Sequence, residues 1–326
     1  AQHGQSHNAL HCLQHMQHEG FSPNSVTFLS ILKACANMGA IEKGTRFHEE
    51  IVNRGFLKDV ALGNALIDMY AKCADLEKAH KVLKDLPARN LISWNALIEG
   101  YTKEGKDHEA LNCFEEMQRE GLAPDAVTFT CILKSCGKIR AIAKGEQIHE
   151  DIMARGLLTK DIVLGNALVD MYVSCDALAK ATEVFEELPL HDVVSWNVII
   201  SGFANKGLGE EALNYYELMQ KEGVYPDIMI FSCILKACGS IGAINKGKQI
   251  HHEMVSKGLI GNNTYLDTVL MDINTVHAKH GQDKEGLSCH KKMFKEVLFP
   301  SINNLTSNLK PICVVDNGKE THGGIV

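Results

Sequence analysis

The chain has 326 residues, a hydrophobic content of 45% and a formal net charge of −7, which together indicate a folded protein. No run of about 18 apolar residues occurs in it, so we expect neither a membrane-spanning helix nor a membrane partner. The acidic balance disfavours nucleic-acid binding, although a local basic stripe would still allow it. The first residue is not Met, so the lack of a targeting peptide gives no information on the compartment.

Two distant segments of the chain have nearly the same sequence. Residues 91–125 and 193–227 align without a gap at an offset of 102 residues, and this offset also separates the two tryptophans, Trp94 and Trp196. The offset spans three shorter units. A repeat of this kind predicts a stacked array that repeats one contact along a surface, rather than one enclosed pocket.

The units follow one another without interruption from Ser25. An incomplete unit, 1–24, precedes units 25–59, 60–90, 91–125, 126–161, 162–192, 193–227 and 228–263. Each unit has two apolar stretches at helical spacing, separated by a short polar or glycine turn. Because one helical hairpin cannot bury both of its faces, the pattern predicts an all-α solenoid of stacked antiparallel helix-turn-helix repeats.

Unit 91–125 illustrates the pattern. Its first helix is predicted over Ile92–Lys103 and its turn over 104–106. The second helix is predicted to begin near Asp107, whose carboxylate suits an N-cap. Gly121 then offers the left-handed residue after the helix, and Pro124 prevents the helix from continuing.

The array decays after residue 263. Thr264–Asn274 still follow the start of a 31-residue unit, but from Thr275 the sequence follows the end of a 35-residue unit instead. Loss of about 28 residues explains this shift of phase, so we predict a hybrid, degenerate repeat over 264–301. Pro311 would break the next helix, and a degenerate, frayed tail is predicted over 302–326.

The repeat strings identify the family that the chain resembles. SWNALIEGYTKEGKDHEALNCFEEMQREGLAPD and SWNVIISGFANKGLGEEALNYYELMQKEGVYPD lack the W-x-x-L-G-x-x-Y of tetratricopeptide repeats and resemble pentatricopeptide repeats. Long units open with VTFxxILKxC and 31-residue units with LGNALxDMYxxC, an alternation similar to the plant-type P-L-S subclass. The resemblance covers residues 1–263 and implies a right-handed superhelical solenoid.

Resemblance to that family also implies a function. It implies a sequence-specific binder of single-stranded RNA in a mitochondrion or chloroplast, acting as the recognition part of a C-to-U editing or RNA processing factor. In the family, the fifth and last residues of a unit together recognise one base, here Asn64, Asn90, Asn95, Asp125, Thr130, Asp161, Asn166, Asp192, Asn197, Asp227, Ser232 and Asn263. The second residues of neighbouring units sandwich the bases, here Val26, Ala61, Ile92, Val127, Val163, Val194 and Met229.

The identity of each base follows from hydrogen-bonding chemistry. Uracil and guanine carry a ring N–H that an acidic last residue can accept, whereas an Asn amide can both donate to and accept from cytosine or adenine. A fifth-position Thr or Ser leaves room for a purine, and Asn suits a pyrimidine. The six complete pairs from unit 60–90 onward therefore predict the core C/U-U-G-U-U-A. Leu29 and Asp59 depart from the pattern and predict nothing.

Each of these residues also has a purely structural interpretation. The Asn residues suit helix capping or a helix surface, and the second residues suit packing between helices. Two lysine registers are candidates for phosphate contact, with a solvated surface as the alternative. One register holds Lys72, Lys103 and Lys138, and the other holds Lys33, Lys134 and Lys236.

No catalytic site is expected. Editing proteins of this family often end in a zinc-dependent deaminase domain with H-x-E and C-x-x-C motifs. His48-x-Glu50 and His251-x-Glu253 match the first motif, but both lie in repeat helices, and no C-x-x-C occurs. We therefore expect no metal and no cofactor, and a deaminase or editing cofactor would have to act in trans. The alternatives are a helical scaffold that binds proteins and a decayed, non-functional copy.

Overall fold

The computed structural model describes residues 2–259, and the part of the chain so described contains fifteen α-helices and no strand. The helices are α1 Gln2–His18, α2 Ser25–Met38, α3 Ile41–Asn53, α4 Val60–Lys72, α5 Leu76–Asp85, α6 Leu91–Lys103, α7 Asp107–Arg119, α8 Ala126–Lys138, α9 Ile142–Ala154, α10 Ile162–Ser174, α11 Leu178–Glu187, α12 Val193–Asn205, α13 Gly209–Lys221, α14 Ile228–Ile241 and α15 Ile244–Ser256. A short 3-10 helix, Phe56–Lys58, follows α3. The predicted all-α solenoid fold is confirmed.

The chain divides after residue 237 into two compact units, of which the structure describes residues 2–237 and 238–259. In the first, consecutive helices form antiparallel hairpins, and α2, α4, α6, α8, α10 and α12 form a row in which each helix contacts its neighbours. These six are the first helices of the sequence units, and they make one layer, while α3, α5, α7, α9, α11 and α13 make the other. In the second compact unit, Ile250 and Met254 of α15 are buried.

The apolar periodicity accounts for the core of the first compact unit. Trp94, Leu97 and Ile98 of α6 are buried, and so are their counterparts Trp196 and Ile199 of α12. One face of each first helix thus packs between its neighbours, as a spacing of three and four residues requires. Residues 264–326, where the hybrid repeat and the frayed tail are predicted, lie outside the described residues.

Close helix packing depends on glycine at the fourth position of the short units. A Cβ placed on Gly63 would lie 2.2 Å from Leu86 Cδ2, and one on Gly165 would lie 2.4 Å from Leu188 Cδ2. The leucine that ends each second helix therefore rests directly on the backbone of the first helix. This contact places the end of a unit against its own first helix.

The helix ends of unit 91–125 lie within one residue of the sequence prediction. Helix α6 begins at Leu91, one residue before the predicted Ile92. Gly121 has φ +80° and takes the left-handed position predicted for it. Asp107, predicted near an N-cap, is instead the first helical residue of α7, and the cap position belongs to Lys106. The buried carboxylate of Asp107 lies 3.5 Å from the ammonium of Lys138. An acidic residue in the first helical turn is also favoured by the helix dipole.

Histidine–tyrosine pairs join the two layers at three places. His48 Nδ1 lies 3.0 Å from the Tyr70 hydroxyl, His80 Nδ1 lies 3.0 Å from that of Tyr101, and His149 makes the same contact with Tyr172 at 2.9 Å. Burial lowers the pKa of all three histidines below the usual 6.5. These histidines are therefore neutral in the folded chain near pH 7.

None of the helices that the structure describes has the length and apolar character needed to cross a membrane.

Candidate nucleic-acid interface

The second residues of the units form a row of exposed apolar side chains. Their exposed fractions range from 48% for Met229 to 69% for Val26, and Ala61 is also exposed. Because they are in the first turn of each first helix, they recur at one register of that layer. An aliphatic side chain that the fold leaves in water at every unit does not serve core packing. The packing alternative therefore does not explain this row.

The last residue of each unit caps the first helix of the next unit. Asn24, Asp59, Asn90, Asp125, Asp161 and Asp192 each accept a hydrogen bond from a backbone N–H in the first turn of the following helix. Asp227 Oδ1 likewise accepts from the N–H of Ile230, at 2.9 Å. Capping therefore fixes each of these residues at a helix N-terminus.

Three of the predicted pairs are joined by a direct hydrogen bond. The amide of Asn95 donates to Asp125 Oδ1 at 3.0 Å, and that of Asn166 donates to Asp192 Oδ1 at 3.2 Å. The amide of Asn64 donates to Asn90 Oδ1 at a longer distance, 3.4 Å. The structure thus brings the fifth and last residues of one unit together, although 26 to 30 residues of chain separate them.

In both aspartates of these pairs, Asp125 and Asp192, the bonds to the helix cap and to the Asn amide reach the same carboxylate oxygen, Oδ1. At Asp192 this oxygen also accepts from the Ser195 hydroxyl. The Thr128 hydroxyl lies 2.9 Å from Asp125 Oδ1 but nearer, at 2.6 Å, to Asn95 Oδ1. Burial raises the pKa of both carboxyl groups, but these donors outweigh it and lower the pKa below the usual 3.8. Both groups are therefore ionised at pH 7 and can act only as acceptors.

The remaining predicted residues differ in their surroundings. Thr130 and Ser232 donate to the carbonyl oxygens of Ala126 and Ile228, at 2.8 and 2.9 Å, so their hydroxyl protons are bound within their own helices. Asn166 and Ser232 are only 6% and 4% exposed, and they lie deeper than Asn64, Asn95 and Asn197. Asn263, the predicted partner of Ser232, lies outside the described residues.

Some amide oxygens lack a partner. Oδ1 of Asn64, Asn166 and Asn197 is buried without a hydrogen bond, whereas Oδ1 of Asn95 accepts one from the Thr128 hydroxyl at 2.6 Å. Thr128 is not among the residues predicted from the sequence. The Thr or Ser that recurs at the third position of units, as at Ser93 and Ser195, indicates the bond to the cap and not the contact with Asn95 of the preceding unit.

The two lysine registers differ in their ion pairs. Lys72 and Lys103 lie 2.8 and 2.7 Å from Asp68 and Glu99 of their own helices, and Lys138 donates to the carbonyl of Thr102. Lysines of the other register are exposed and make no ion pair within the described part of the chain; they are Lys33, Lys134 and Lys236. Of the three, Lys134 is near a carboxylate: burial raises the pKa of Asp170, and the charge of Lys134 opposes that rise.

The two H-x-E matches do not gather further ligands. Among the residues that the structure describes, no three His, Cys, Asp or Glu side chains are placed to hold a metal ion. His48 is engaged with Tyr70, and His251 is buried in α15.

Comparison with known proteins follows the same repeats. The model of the PPR repeat family matches residues 89–138 and 191–239, and that of the PPR repeat matches residues 229–259. A third model, described as pentatricopeptide repeat-containing protein, matches residues 1–86. Together the matched segments cover more than half of the chain.

Curated relatives come from Arabidopsis thaliana. One pentatricopeptide repeat-containing protein is 33% identical over 92% of this chain and 58% of its own length. A second is 34% identical over 87% of this chain and 40% of its own length, and a third, named mitochondrial, is 32% identical over 83% and 26%. The chain therefore spans less than two thirds of the length of these relatives.

Solved structures of low sequence identity share the fold. The crystal structure of the pentatricopeptide repeat protein PPR10 from maize matches with a TM-score of 0.75 at 21% identity, over 89% of this chain and 41% of that one. PPR10 in complex with an 18-nt psaJ RNA element matches with a TM-score of 0.62 at 18% identity, over 76% and 38%.

Proposed function

Because the chain belongs to the pentatricopeptide repeat family, we propose that it binds single-stranded RNA in a sequence-specific manner, one base to each unit. One observation carries the proposal above all others. A row of exposed aliphatic second residues recurs beside fifth and last residues that are hydrogen-bonded to each other. The apolar row suits the faces of unstacked bases, and the polar pairs suit their edges.

The hydrogen bonds support a uracil preference at Asn95 and Asp125. Uracil presents a ring N–H between two carbonyl groups. The ionised carboxylate of Asp125 can accept the N–H through Oδ2, because its scaffold bonds fall on Oδ1. The second amide proton of Asn95 can then donate to a neighbouring carbonyl oxygen of the base. Cytosine offers no ring N–H at this edge, so it would place an acceptor against the carboxylate.

The same chemistry ranks the other units. Asp192 is exposed and ionised, whereas Asn166 is buried, so the carboxylate would make most of the contact there. The pair of Asn64 and Asn90 can donate and accept, which suits cytosine before uracil. The proposed core C/U-U-G-U-U-A keeps guanine at Thr130 and Asp161 and adenine at Ser232 and Asn263.

Electrostatic attraction to the RNA backbone is assigned to one lysine register. The ninth position of every third unit is an exposed lysine that makes no ion pair in the described part of the chain: Lys33, Lys134 and Lys236. The ninth residue is on the same helix face as the second and fifth residues, since their spacing is three and four. Phosphate contacts at this register would explain how an acidic chain binds RNA, and they predict binding that weakens with salt.

The wider setting rests on the relatives. One relative is named mitochondrial and another chloroplastic, which supports an organellar location for this chain. PPR10, whose fold this chain shares, has been solved in complex with an RNA element. The alternation of unit lengths supports the P-L-S subclass and a role in C-to-U editing or RNA processing. An editing role requires a deaminase or editing cofactor in trans.

Binding to a defined oligonucleotide tests the proposal. The whole chain is titrated with single-stranded RNA containing CUGUUA and with the same bases scrambled, at several salt concentrations. Each wrong base is expected to cost about 1–3 kcal/mol, by analogy with direct recognition of bases elsewhere. Equal affinity for both RNAs would reject sequence-specific recognition, and lack of binding at low salt would favour the protein-binding scaffold.

A further inference from the structure

We propose that Thr128 is a positioning residue for base recognition by the preceding unit, because its hydroxyl holds the amide of Asn95. Ile230, at the equivalent position 102 residues later, has no hydroxyl and cannot take this role. The inference rests on the proposed function and adds to it a residue outside the fifth and last positions. It predicts that two units with the same Asn and Asp pair discriminate between bases to different degrees.

Thr128 lies in the first turn of α8 and is fully buried. Its hydroxyl is 2.6 Å from Asn95 Oδ1 and 2.9 Å from Asp125 Oδ1. A hydroxyl has one proton to donate, and the shorter distance favours the amide oxygen. A lone pair of the same hydroxyl accepts the backbone N–H of Asp125 at 3.3 Å.

This contact fixes the orientation of the Asn95 amide. With its oxygen on the Thr128 hydroxyl and its nitrogen donating to Asp125, both ends of the amide are satisfied. A flipped amide would turn its oxygen towards an ionised carboxylate, and two acceptors would then face each other. Only one orientation is therefore stable, and it leaves the second amide proton of Asn95 in a defined direction.

The unit that begins 102 residues later provides an internal comparison. Asn197 and Asp227 stand where Asn95 and Asp125 stand, but the third residue of the following unit is Ile230. Ile230 is fully buried, so an aliphatic side chain occupies the place of the threonine. Asn197 Oδ1 is buried and has no hydrogen-bond partner. The Asn197 amide therefore lacks the contact that the Thr128 hydroxyl makes with Asn95.

Serine at the third position does not replace threonine in this respect. The hydroxyls of Ser93 and Ser195 bond to the capping residues Asn90 and Asp192 at 2.8 and 2.9 Å. The corresponding amide oxygens, in Asn64 and Asn166, remain without a partner. Among the complete units that the structure describes, the amide of unit 91–125 is thus the one held at both ends.

Four proteins test the inference: the wild type, Thr128→Val, Thr128→Ser and Ile230→Thr. Valine matches threonine in shape and removes the hydroxyl, while the capping bond from the backbone N–H of residue 128 to Asp125 is retained. Affinities are measured for RNA containing CUGUUA and for the two RNAs in which the second or fifth base is changed from U to C. The measured quantity is the ratio of Kd values for C and U at each base.

We expect the wild type to discriminate more strongly at the second base than at the fifth. Thr128→Val should lower the ratio at the second base by between about twofold and about tenfold, the effect of one hydrogen bond. The ratio at the fifth base should not change. Thr128→Ser should lower the ratio at the second base as Thr128→Val does, because the hydroxyls of Ser93 and Ser195 bond to the cap and leave the amide oxygen of the preceding unit without a partner. Ile230→Thr should raise the ratio at the fifth base.

The outcomes separate this inference from the proposed function. Wild-type protein that shows no preference at any base would reject the proposed function itself. Wild-type protein that prefers U, together with an unchanged ratio in Thr128→Val, would reject the positioning role alone. Should Thr128→Val fail to fold, as thermal unfolding would show, Ile230→Thr decides: a raised ratio at the fifth base supports the inference and an unchanged one overturns it.

Discussion

Units 91–125 and 193–227 have closely similar sequences but differ in how well their polar groups are satisfied. In the first, the indole N–H of Trp94 donates to Glu120 at 3.1 Å, and Glu120 also pairs with Arg89 at 2.8 Å. In the second, the indole nitrogen of Trp196 is buried without a partner. Glu222, which corresponds to Glu120, lies 3.4 Å from His191 instead.

The difference extends to the base-contact positions. Asn95 is hydrogen-bonded at both ends of its amide, and Asn197 has an orphaned oxygen. Buried polar groups without partners lower stability, because they lose their hydrogen bonds to water. The comparison shows that two copies of one repeat can share an apolar core and still differ in local rigidity. We expect the local free energy of unfolding to be higher in unit 91–125 than in unit 193–227.

The largest effect is expected from removing the tryptophans. Trp94→Ala and Trp196→Ala should each lower the local free energy of unfolding by about 3–5 kcal/mol, because a large buried side chain is lost. Trp94→Ala should have the larger effect, by about 1 kcal/mol, since it also removes the bond to Glu120. Hydrogen exchange in α6 and α12 measures both. Equal costs, or a larger cost for Trp196→Ala, would contradict the proposed difference between the two units.

Glutamate substitution should have an intermediate effect. Glu120→Ala would leave the buried Trp94 N–H without an acceptor and should cost about 1–3 kcal/mol in α6. The matched control, Glu222→Ala, should cost less, because Trp196 already lacks a partner. Local hydrogen exchange of the two variants provides the measurement. A cost at Glu222 as large as that at Glu120 would show that the two copies are equivalent.

Acidification should lower the stability of α6 in unit 91–125 through His80, which contacts Tyr101 of that helix. Burial lowers its pKa in the folded chain, so between that value and 6.5 the unfolded chain binds more protons. The stability contributed by neutral His80 is therefore present above pH 6.5 and is lost as the pH falls through the folded pKa. Exchange protection in α6, corrected for intrinsic rates, should fall between pH 7.5 and pH 5.5.

The second copy suggests the control for this pH effect. Thr182 and Phe203 occupy the places of His80 and Tyr101 there. His80→Thr should therefore reduce the fall in α6 protection on acidification. A fall of undiminished size in this variant would assign the pH dependence to other groups.

The smallest effect is expected from the surface ion pair of Glu99 and Lys103. Both side chains are about half exposed, at 48% and 61%, and such pairs contribute little. The second copy has Ser201 and Asn205 instead. The double variant Glu99→Ser, Lys103→Asn should change the free energy of unfolding of α6 by less than about 0.5 kcal/mol. A loss above 1.5 kcal/mol would mean that charge pairs contribute to the difference between the copies.

The sequence predicted the hairpins and their turns, because periodicity and turn residues depend on neighbours in the chain. It did not predict which residues cap the helices: Asp107 is not a cap, and the last residues of the units are. It did not predict that Asp107 would be a first-turn residue, or that Asn166 and Ser232 would be buried. It also missed Thr128, whose partner Asn95 belongs to the preceding unit. The contact of Thr128 with Asn95 joins residues 33 positions apart in neighbouring units, and the pattern within one unit does not specify it.

Selection of RNA from a randomised pool, with the wild type and with Asn95→Thr, tests base recognition most directly. The wild type should enrich the core C/U-U-G-U-U-A. The smaller threonine leaves room for a purine beside the ionised Asp125, so Asn95→Thr should change the second base from U to G and leave the others unchanged. Identical enriched sequences for the two proteins, or a change spread over every base, would contradict recognition by this pair.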